Sequence, residues 1–320
     1  MTIMQTVILA AGKGKRLHPI TTIRSKAMLP ILGKPIVERV MEQFASAGLN
    51  DFILVISPED NQITQYFQRE SKIEGRVRFV YQEKRLGTTH ALRKAVPLIK
   101  GDFFLSACDN LTSHHHIGRM HKLWHSESRP NGILTLMKVE LEQVVNTAVV
   151  TMERPLVTGI VEKPAVEEAP SQIASLPLYC FKKIILDYLP EVGVSQRGEY
   201  ELQDAVQMLI EIDGMVHGLM IASRLELTNH ADLLKINQHF FASGHEDTQL
   251  QPKSVGENTR LIPPLFIECG TVIGANCTIG PNVCIERDSQ IGAGARIRDA
   301  ILFQKTTVPA GAVINNRIVY

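Results

Sequence analysis

Glycines and cationic side chains cluster behind an apolar run near the N-terminus, in the stretch VILAAGKGKRLHP at residues 7–19. Glycines let a backbone approach an anion, and backbone amides together with cations hold phosphates. A P-loop is excluded, because its glycines are five residues apart, whereas Gly12 and Gly14 are two apart. In addition, Arg16 follows Lys15 where a P-loop has Ser or Thr. The stretch therefore predicts a phosphate-binding turn of another kind.

Short apolar runs alternate with amphipathic segments from residue 1 to about 240. The runs that predict buried strands are TVILAA (6–11), FILVIS (52–57), RVRFVYQ (76–82) and DFFLSACD (102–109). Helices are predicted over 34–48 and 88–99. This alternation predicts a Rossmann-like α/β domain on a mostly parallel sheet. Because ligands bind at the carboxyl ends of such strands, residues 10–16, 82–88 and 109–110 are expected to converge on one crevice.

A polar segment at 242–256 predicts a linker, and the pattern changes after it. Apolar residues then recur every six positions, at Leu261, Ile267, Ile273, Ile279, Ile285, Ile291, Ile297 and Phe303. This period is typical of a parallel β-helix, whose open last coil needs a cap or a partner subunit. Three cysteines in this region are expected to be apolar fillers between coils, namely Cys269, Cys277 and Cys284.

Composition excludes several classes of function. The chain has 320 residues, 44% hydrophobic and 21% charged, with a formal net charge of +1. Such a balance does not favour nucleic acid as a partner. Five cysteines without a CxxC pair favour a reduced, cytoplasmic chain, and no stretch predicts a membrane span.

Six motifs in a fixed order carry a resemblance to a known family. They are LAAGKGKRLHP, SKAMLPILGKPIVERV (25–40), QEKRLGTTHAL (82–92), CDN (108–110), VEKP (161–164) and GEYELQDA (198–205). Together they resemble the sugar-1-phosphate nucleotidylyltransferases, including glucose-1-phosphate thymidylyl- and uridylyltransferases. The resemblance implies a catalytic domain at 1–241, the linker, and a short left-handed β-helix at 257–320. The open coil of that β-helix exposes apolar edges and so predicts a homo-oligomer, whether dimer, trimer or tetramer.

Members of that family join a nucleoside triphosphate to a sugar 1-phosphate and release pyrophosphate. The resemblance implies that Arg16 and Lys26 are catalytic, with Lys26 beside the reacting phosphates. The nucleotide-binding residues that it implies are Leu9, Ala10, Ala11, Gly12, Gly14, Gln82, Gly87 and Thr88. Gln82 is expected to read a pyrimidine edge, because an amide both donates and accepts hydrogen bonds.

The resemblance also implies a metal site and a sugar site. Asp109 and Asp204 match the aspartates that hold Mg²⁺, which takes one or two protein carboxylates beside phosphate oxygens. The positions matched to the sugar phosphate are Ala148, Glu162, Lys163, Tyr179 and Glu199.

The sequence departs from the family pattern mostly on the sugar side. Thr147-Ala148 stands where an aromatic residue and a glycine are usual, and Pro177 replaces another glycine. Gln203 replaces a threonine, and residues 224–228 replace a Trp-x-Asp-x-Gly stretch. On the nucleotide side, Lys15 replaces a threonine. These departures predict an unusual sugar or an altered sugar pose.

Glucose 1-phosphate with dTTP or UTP is the favoured substrate pair. Two alternatives stay open: a non-catalytic or weakly active regulatory relative, and an N-acetylglucosamine-1-phosphate uridylyltransferase. An additional acetyltransferase activity is disfavoured, because residues 261–320 contain no histidine.

Overall fold

The computed structural model describes residues 4–244 and 249–320. Two compact units divide the chain: the first comprises the chain up to Lys13 with Val37–Leu225, and the second comprises Gly14–Ile36 with Glu226–Tyr320. The helices of the described residues are α1 Ile20–Ile23, α2 Ile36–Ala45, α3 Asn61–Arg69, α4 Thr88–Ala95, α5 His114–Trp124, α6 Ile185–Tyr188, α7 Leu202–Ile212 and α8 His230–Ala242.

Most of the longer strands belong to the first unit. The strands up to residue 226 are β1 Gln5–Leu9, β2 Pro30–Ile31, β3 Lys34–Pro35, β4 Asp51–Ile56, β5 Arg76–Tyr81, β6 Phe103–Ala107, β7 Asn110–Leu111, β8 Gly132–Lys138, β9 Ala148–Glu153, β10 Leu156–Glu162, β11 Ile173–Phe181, β12 Val216–Met220 and β13 Leu225–Glu226. The remaining strands are β14 Gln249–Leu250, β15 Ser254–Val255, β16 Arg260–Leu261, β17 Leu265–Ile267, β18 Val272–Ile273, β19 Thr278–Ile279, β20 Val283–Ile285, β21 Gln290–Ile291, β22 Arg296–Leu302, β23 Thr307–Val308 and β24 Val313–Val319.

The first unit is built on a nine-stranded sheet with the order β5-β4-β1-β6-β11-β8-β12-β10-β9. Strands β5, β4, β1 and β6 are mutually parallel, and β11 runs antiparallel to its neighbours β6 and β8. The four parallel strands are the four predicted apolar runs. Strands β1, β4 and β6 are buried along most of their length, because helices cover such sheets. Strand β5 lies at the edge of the sheet and is only partly buried, so the prediction of a buried strand over 76–82 is wrong on that point. The α/β prediction for this region is confirmed.

Helix α4 begins and ends where the local sequence dictates. Gly87 precedes it with φ of +102°, a conformation that only glycine adopts without strain. The helix ends at Ala95 and not at residue 99 as predicted, because Pro97 turns the chain into a 3₁₀ turn over Val96–Leu98.

The second unit contains a stack of short parallel strands. Strands pair with strands about one coil further along: Leu261 lies opposite Ile279, Ile279 opposite Ile297, and Ile267 opposite Ile285. These partners are 18 residues apart, which is three hexads. The predicted six-residue period therefore corresponds to coils of three short strands, with the apolar residues packed inside.

The register of the stack slips by one residue in its last coil. Ile285 lies opposite Leu302, and Ile297 lies opposite Ile314, so the offset there is 17 residues. The six-residue period predicted Phe303 as the eighth apolar residue of the core of the stack. Because of the slip, Leu302 takes that core position and Phe303 lies outside it. The offset falls from 18 to 17 between Ile297 and Ala300, so the turn between them is one residue shorter than in the preceding coil. Asp299, with φ of +48°, lies in this turn.

Two further predictions need correction in this region. The predicted linker already contains strands: β14 pairs in parallel with β17, and β15 pairs with β18. Residues 245–248 of that predicted linker lie outside the described residues. Cys269 is exposed and so fills no space between coils. Cys277 is buried in the core of the stack, whereas Cys284 is buried outside that core. Within residues 4–244 and 249–320, no helix has the length and apolar character needed to cross a membrane.

Candidate active site

Three loops of the first unit start from one edge of the sheet. Strand β1 lies between β4 and β6 and is parallel to both. The main chain carries this pairing past the strand ends, with Ala10 N donating to Val55 O at 2.8 Å and Cys108 N donating to Leu9 O at 3.2 Å. The residues that follow β1, β4 and β6 therefore share the edge where α/β sheets bind ligands.

Arg85 fastens two of these loops together. Its Nε donates to the carbonyl oxygen of Ala11 at 2.7 Å, and its second guanidinium nitrogen donates to Ser57 Oγ at 2.8 Å. The same nitrogen lies 3.2 Å from a carboxylate oxygen of the exposed Glu59. Arg85 thereby fixes the carbonyl just before Gly12, where the glycine-rich turn begins.

Gln82 is buried at the end of β5 and organises the turn behind it. Its Nε2 donates to Gly87 O at 3.2 Å and lies 3.0 Å from Nδ1 of His90. Burial and the nearby Lys94 lower the pKa of His90, so its ring is neutral and can accept from the amide near pH 7. The amide nitrogen of Gln82 thus holds the turn.

Gly87 is in direct contact with the GEYE segment. A methyl group at position 87 would lie 2.5 Å from the carbonyl oxygen of Tyr200 and 3.1 Å from Cβ of Glu199. Thr88 adds a second connection, because its Oγ1 accepts a hydrogen bond from Leu202 N at 3.1 Å. The structure therefore brings Gln82, Gly87 and Thr88 together with Glu199, at the start of α7.

A cluster of charged residues surrounds Glu162 at the end of β10. Its Oε1 lies 3.3 Å from Lys163 Nζ and 3.5 Å from the Arg197 guanidinium. Arg197 also donates to Glu201 Oε1 at 2.7 Å. Burial raises the pKa of Glu162, while Lys163 opposes that shift and the Glu201 carboxylate adds to it. Two carboxylates sharing one guanidinium can accept hydrogen bonds from hydroxyl groups.

Tyr179 and Ala148 flank this cluster. Ala148 of β9 lies opposite Glu162 in the sheet and is buried. Tyr179 is buried on β11, and burial raises its pKa to about 12, with neighbouring Ser175 and Gln203 opposing the shift and Glu162 adding to it. Gln203, one of the departures from the family pattern, therefore lies beside this predicted sugar-side tyrosine.

The two aspartates lie at the ends of elements in the first unit. Asp109 follows β6 and is buried. Asp204 lies in the first turn of α7 and is exposed. Partial desolvation of the carboxyl group and the nearby Glu201 nonetheless raise the pKa of Asp204. Among residues 4–244 and 249–320, no cluster of three or more His, Cys, Asp or Glu side chains could hold a metal. Two carboxylates do suit Mg²⁺, which obtains its other ligands from phosphates and water.

Gly14, Arg16 and Lys26 belong to the second compact unit, unlike the other predicted site residues. Gly14 has φ of +61°, and a methyl group on it would lie 3.1 Å from Lys26 Cβ. Thr21 Oγ1 closes this turn by donating to Gly14 O at 3.2 Å. The structure thus packs Gly14 against Lys26, and it leaves Lys15 and Arg16 exposed on a 3₁₀ turn.

Three residues of the site region carry no role in the sequence prediction: Arg85, Arg197 and Glu201. Arg85 and Glu201 stand inside the quoted motifs QEKRLG and GEYELQDA, so motif membership was the available signal. Arg224 also approaches Asn110, with 3.4 Å between a guanidinium nitrogen and Oδ1.

Comparison with known proteins agrees with this geometry. A nucleotidyl transferase family profile matches residues 5–240, and a profile described as the GMPPB C-terminal domain matches residues 261–320. The chain belongs to the nucleotidyl transferase family, and within it to the sugar-1-phosphate nucleotidylyltransferases. It is an enzyme that forms a nucleoside diphosphate sugar from a sugar 1-phosphate.

Curated relatives span most of the chain. A bifunctional protein GlmU of Methanococcus maripaludis is 29% identical over 99% of this chain and 77% of its own length. A UTP–glucose-1-phosphate uridylyltransferase, AglF, of Haloferax volcanii is 30% identical over 68% of this chain and 88% of its own length. A glucose-1-phosphate thymidylyltransferase of Streptomyces griseus is 26% identical, covering 98% and 84% respectively.

A solved structure supports the fold. UDP-glucose pyrophosphorylase complexed with UDP-glucose superimposes with a TM-score of 0.69, covering 76% of this chain and 100% of that one. The identity of 22% makes this likeness evidence for the fold alone.

Proposed function

We propose that the chain transfers a nucleotidyl group from dTTP or UTP to glucose 1-phosphate. The observation that carries this proposal is the contact between Gly87 and the GEYE backbone, which joins the base-side turn to the start of α7. Relatives named as a uridylyltransferase and as a thymidylyltransferase support a pyrimidine triphosphate and glucose 1-phosphate.

The reaction is an in-line displacement. A phosphate oxygen of the sugar 1-phosphate attacks the α-phosphorus, the bond to the β-phosphate oxygen breaks, and pyrophosphate leaves. This chemistry needs positioned anions and neutralised charge, and no protein nucleophile. We assign the triphosphate to the backbone of residues 9–14 and to Arg16, and the charge that develops in the transition state to Lys26.

The base and the metal are assigned to residues of the first unit. Gln82 Oε1 accepts from the ring N–H of uracil or thymine, while its amide nitrogen keeps the turn closed. Asp109 and Asp204 provide the carboxylate oxygens for Mg²⁺. When bound, this ion neutralises phosphate charge and orients the triphosphate.

The sugar phosphate is assigned to the charged cluster at the end of β10. Glu162 accepts from sugar hydroxyls, and Lys163 turns its ammonium from Glu162 to the phosphate. Tyr179, Ala148 and Glu199 complete the surroundings of the sugar. Ala148 adds a methyl group where the family pattern has glycine, so we expect a selective sugar side.

Four further properties belong to the proposal. The catalytic domain extends to residue 241, and the stack of parallel strands from 257 is a left-handed β-helix. The enzyme is a homo-oligomer in the cytoplasm. Exposed apolar residues at the end of the stack, Val313 and Tyr320, support association through that end.

A pyrophosphate-release screen tests the proposed function. The full chain is mixed with dTTP, UTP, CTP, ATP or GTP and with glucose, galactose, mannose or N-acetylglucosamine 1-phosphate, each with and without Mg²⁺. We expect Mg²⁺-dependent release that is greatest with a pyrimidine triphosphate and glucose 1-phosphate. Binding of UTP without release in every combination would overturn the catalytic proposal and favour a regulatory role.

The same screen decides the second candidate function. N-acetylglucosamine 1-phosphate is the alternative acceptor that the sequence resemblance leaves open. Release with UTP and N-acetylglucosamine 1-phosphate, but not with glucose 1-phosphate, would establish that candidate instead.

A further inference from the structure

One face of the strand stack is buried although its residues point away from the stack's own core. Side chains alternate along a strand, and Leu265 and Ile267 lie in the core, so Phe266 points outwards. Phe266 is nevertheless only 5% exposed. Its register partner Cys284 and the next residue in that column, Ile301, are 0% and 1% exposed. Another part of the second unit therefore covers this face.

The segment Gly14–Ile36 forms part of that cover. A methyl group on Gly33 would lie 2.5 Å from the Phe266 ring, and the Gly33 backbone hydrogen-bonds the Cys284 sulfur. Gly33 has φ of +75°, a conformation that favours glycine. Glycine is therefore required at this turn both for the backbone conformation and because a side chain would overlap the Phe266 ring.

Helix α8 holds the same segment from another side. Asn237 Oδ1 accepts from Leu32 N at 2.9 Å, and its Nδ2 donates to Pro30 O at 3.1 Å. Asn237 is buried, so these bonds replace the hydrogen bonds that Leu32 and Pro30 would otherwise make to water.

An ion pair fixes the middle of the segment. Arg24 donates to Glu286 Oε1 at 2.6 Å, and the two side chains are 12% and 7% exposed. The Arg24 guanidinium also lies 4.9 Å from the ring centre of Phe303, the residue that the register slip releases from the repeat. The other carboxylate oxygen of Glu286 accepts from Gln304 N at 2.9 Å, so the carboxylate is held on both sides.

We propose that Arg24 and Glu286 are positioning residues, through which the strand stack orients the phosphate-binding segment that carries Gly14, Arg16 and Lys26. Arg24 is two residues before Lys26, and Lys26 packs against Gly14. A cation held at Arg24 therefore limits the movement of Lys26 and of the turn behind it. This inference rests on the proposed function for its kinetic consequence, but not for its structural one.

The test compares Arg24→Ala, Glu286→Gln, Arg24→Lys and the charge-exchanged double variant Arg24→Glu/Glu286→Arg in the full chain. We expect the first two to lower kcat/KM about 10–100-fold, since a small misplacement of a positioning group has that effect. Arg24→Lys is expected to recover part of the loss, because it keeps the charge. Arg298→Ala, which removes an exposed pair with Asp299 on the same stack, is the control.

A second readout distinguishes positioning from folding. Hydrogen exchange at residues 14–36 is expected to quicken in Arg24→Ala and Glu286→Gln, while strands β16–β21 stay protected. If the wild-type chain releases no pyrophosphate, the proposed function fails. The exchange data would still show whether the Arg24–Glu286 pair orders residues 14–36. Unchanged exchange and unchanged kcat/KM in both variants would overturn the inference, as would equal exchange gains throughout the stack.

Discussion

Gly87 lies against the backbone of Tyr200, so closely that any side chain at position 87 would overlap the Tyr200 carbonyl oxygen. Tyr200 N in turn donates to Leu86 O at 2.8 Å, and Thr89 N donates to Tyr200 O at 3.0 Å. The turn that is assigned to the base and the segment before α7 are therefore one hydrogen-bonded body.

Replacement of Gly87 by alanine should separate these two segments. The added methyl group meets backbone atoms, and φ of +102° is unfavourable for alanine, at a cost of about 1–3 kcal/mol. We expect kcat/KM for pyrophosphate release to fall about 10–100-fold. Gly193→Ala is the matched control, because a methyl group there meets nothing within 4 Å. Equal activities of the two variants would contradict the role of this contact.

Replacement of Arg85 by alanine should loosen the glycine-rich turn. The variant loses the hydrogen bonds to Ala11 O and Ser57 Oγ, and a charged hydrogen bond contributes about 1.5–3 kcal/mol. We expect KM for the triphosphate to rise about tenfold or more. Glu59→Gln, which removes only the exposed ion pair, should leave KM nearly unchanged. A similar rise in both variants would show that charge, and not the turn, is responsible.

Replacement of Asp109 by asparagine tests the metal assignment. We expect kcat to fall about 10²–10³-fold, with more Mg²⁺ needed for half-maximal activity, since a carboxylate ligand is lost. Asp102→Asn is the control, because Asp102 lies at the opposite end of β6, where it accepts from Lys183 N. A Mg²⁺ titration of both variants is the measurement, and an unshifted Mg²⁺ requirement in Asp109→Asn would refute the assignment.

His116 should make stability depend on pH. Burial lowers its pKa to about 4, and its ring bonds Thr135 Oγ1 at 2.9 Å. Because the folded-state pKa lies below that of the unfolded chain, stability is complete above about pH 6.5 and is lost as the pH falls towards 4. The loss amounts to roughly 3 kcal/mol at most.

Denaturant unfolding at several pH values measures that effect. The free energy of unfolding of His116→Gln should change less between pH 7 and pH 4.5 than that of the wild type. His125→Gln, at an exposed position at the end of α5, should follow the wild type. A wild-type pH dependence in His116→Gln would show that other groups are responsible.

Local pattern predicted four strands and two helices of the first unit, because the spacing of apolar residues depends directly on which side chains are buried. The four parallel strands lie within about two residues of their predicted limits, as TVILAA at 6–11 and β1 at Gln5–Leu9 illustrate. The six-residue period likewise indicated the coils, apart from the slip at Phe303. These signals are local, and a sequence displays them without reference to the rest of the chain.

Contacts between distant segments were not predictable in the same way. No local pattern connects Arg24 with Glu286, and Arg85 stood in a quoted motif without an assigned role. The fold around a charged side chain decides whether its charged group faces water or hydrogen-bonds a distant carbonyl oxygen. The departures at Ala148 and Gln203 were visible, but their consequence for the sugar depends on neighbours such as Tyr179 and Glu162.

The pairing of Arg24 with Glu286 has a consequence for biosynthesis. The two residues are 262 positions apart, so a ribosome has completed most of the chain before the partner of Arg24 exists. The segment from Gly14 to Ile36 is among the first to leave the ribosome. Its ion pair with the strand stack forms only after residue 286 has been made, since domains fold as their parts become available. A chain cut short before Glu286 would hold the sheet of the first unit, yet Arg24 in the segment from Gly14 to Ile36 would lack the carboxylate that holds it.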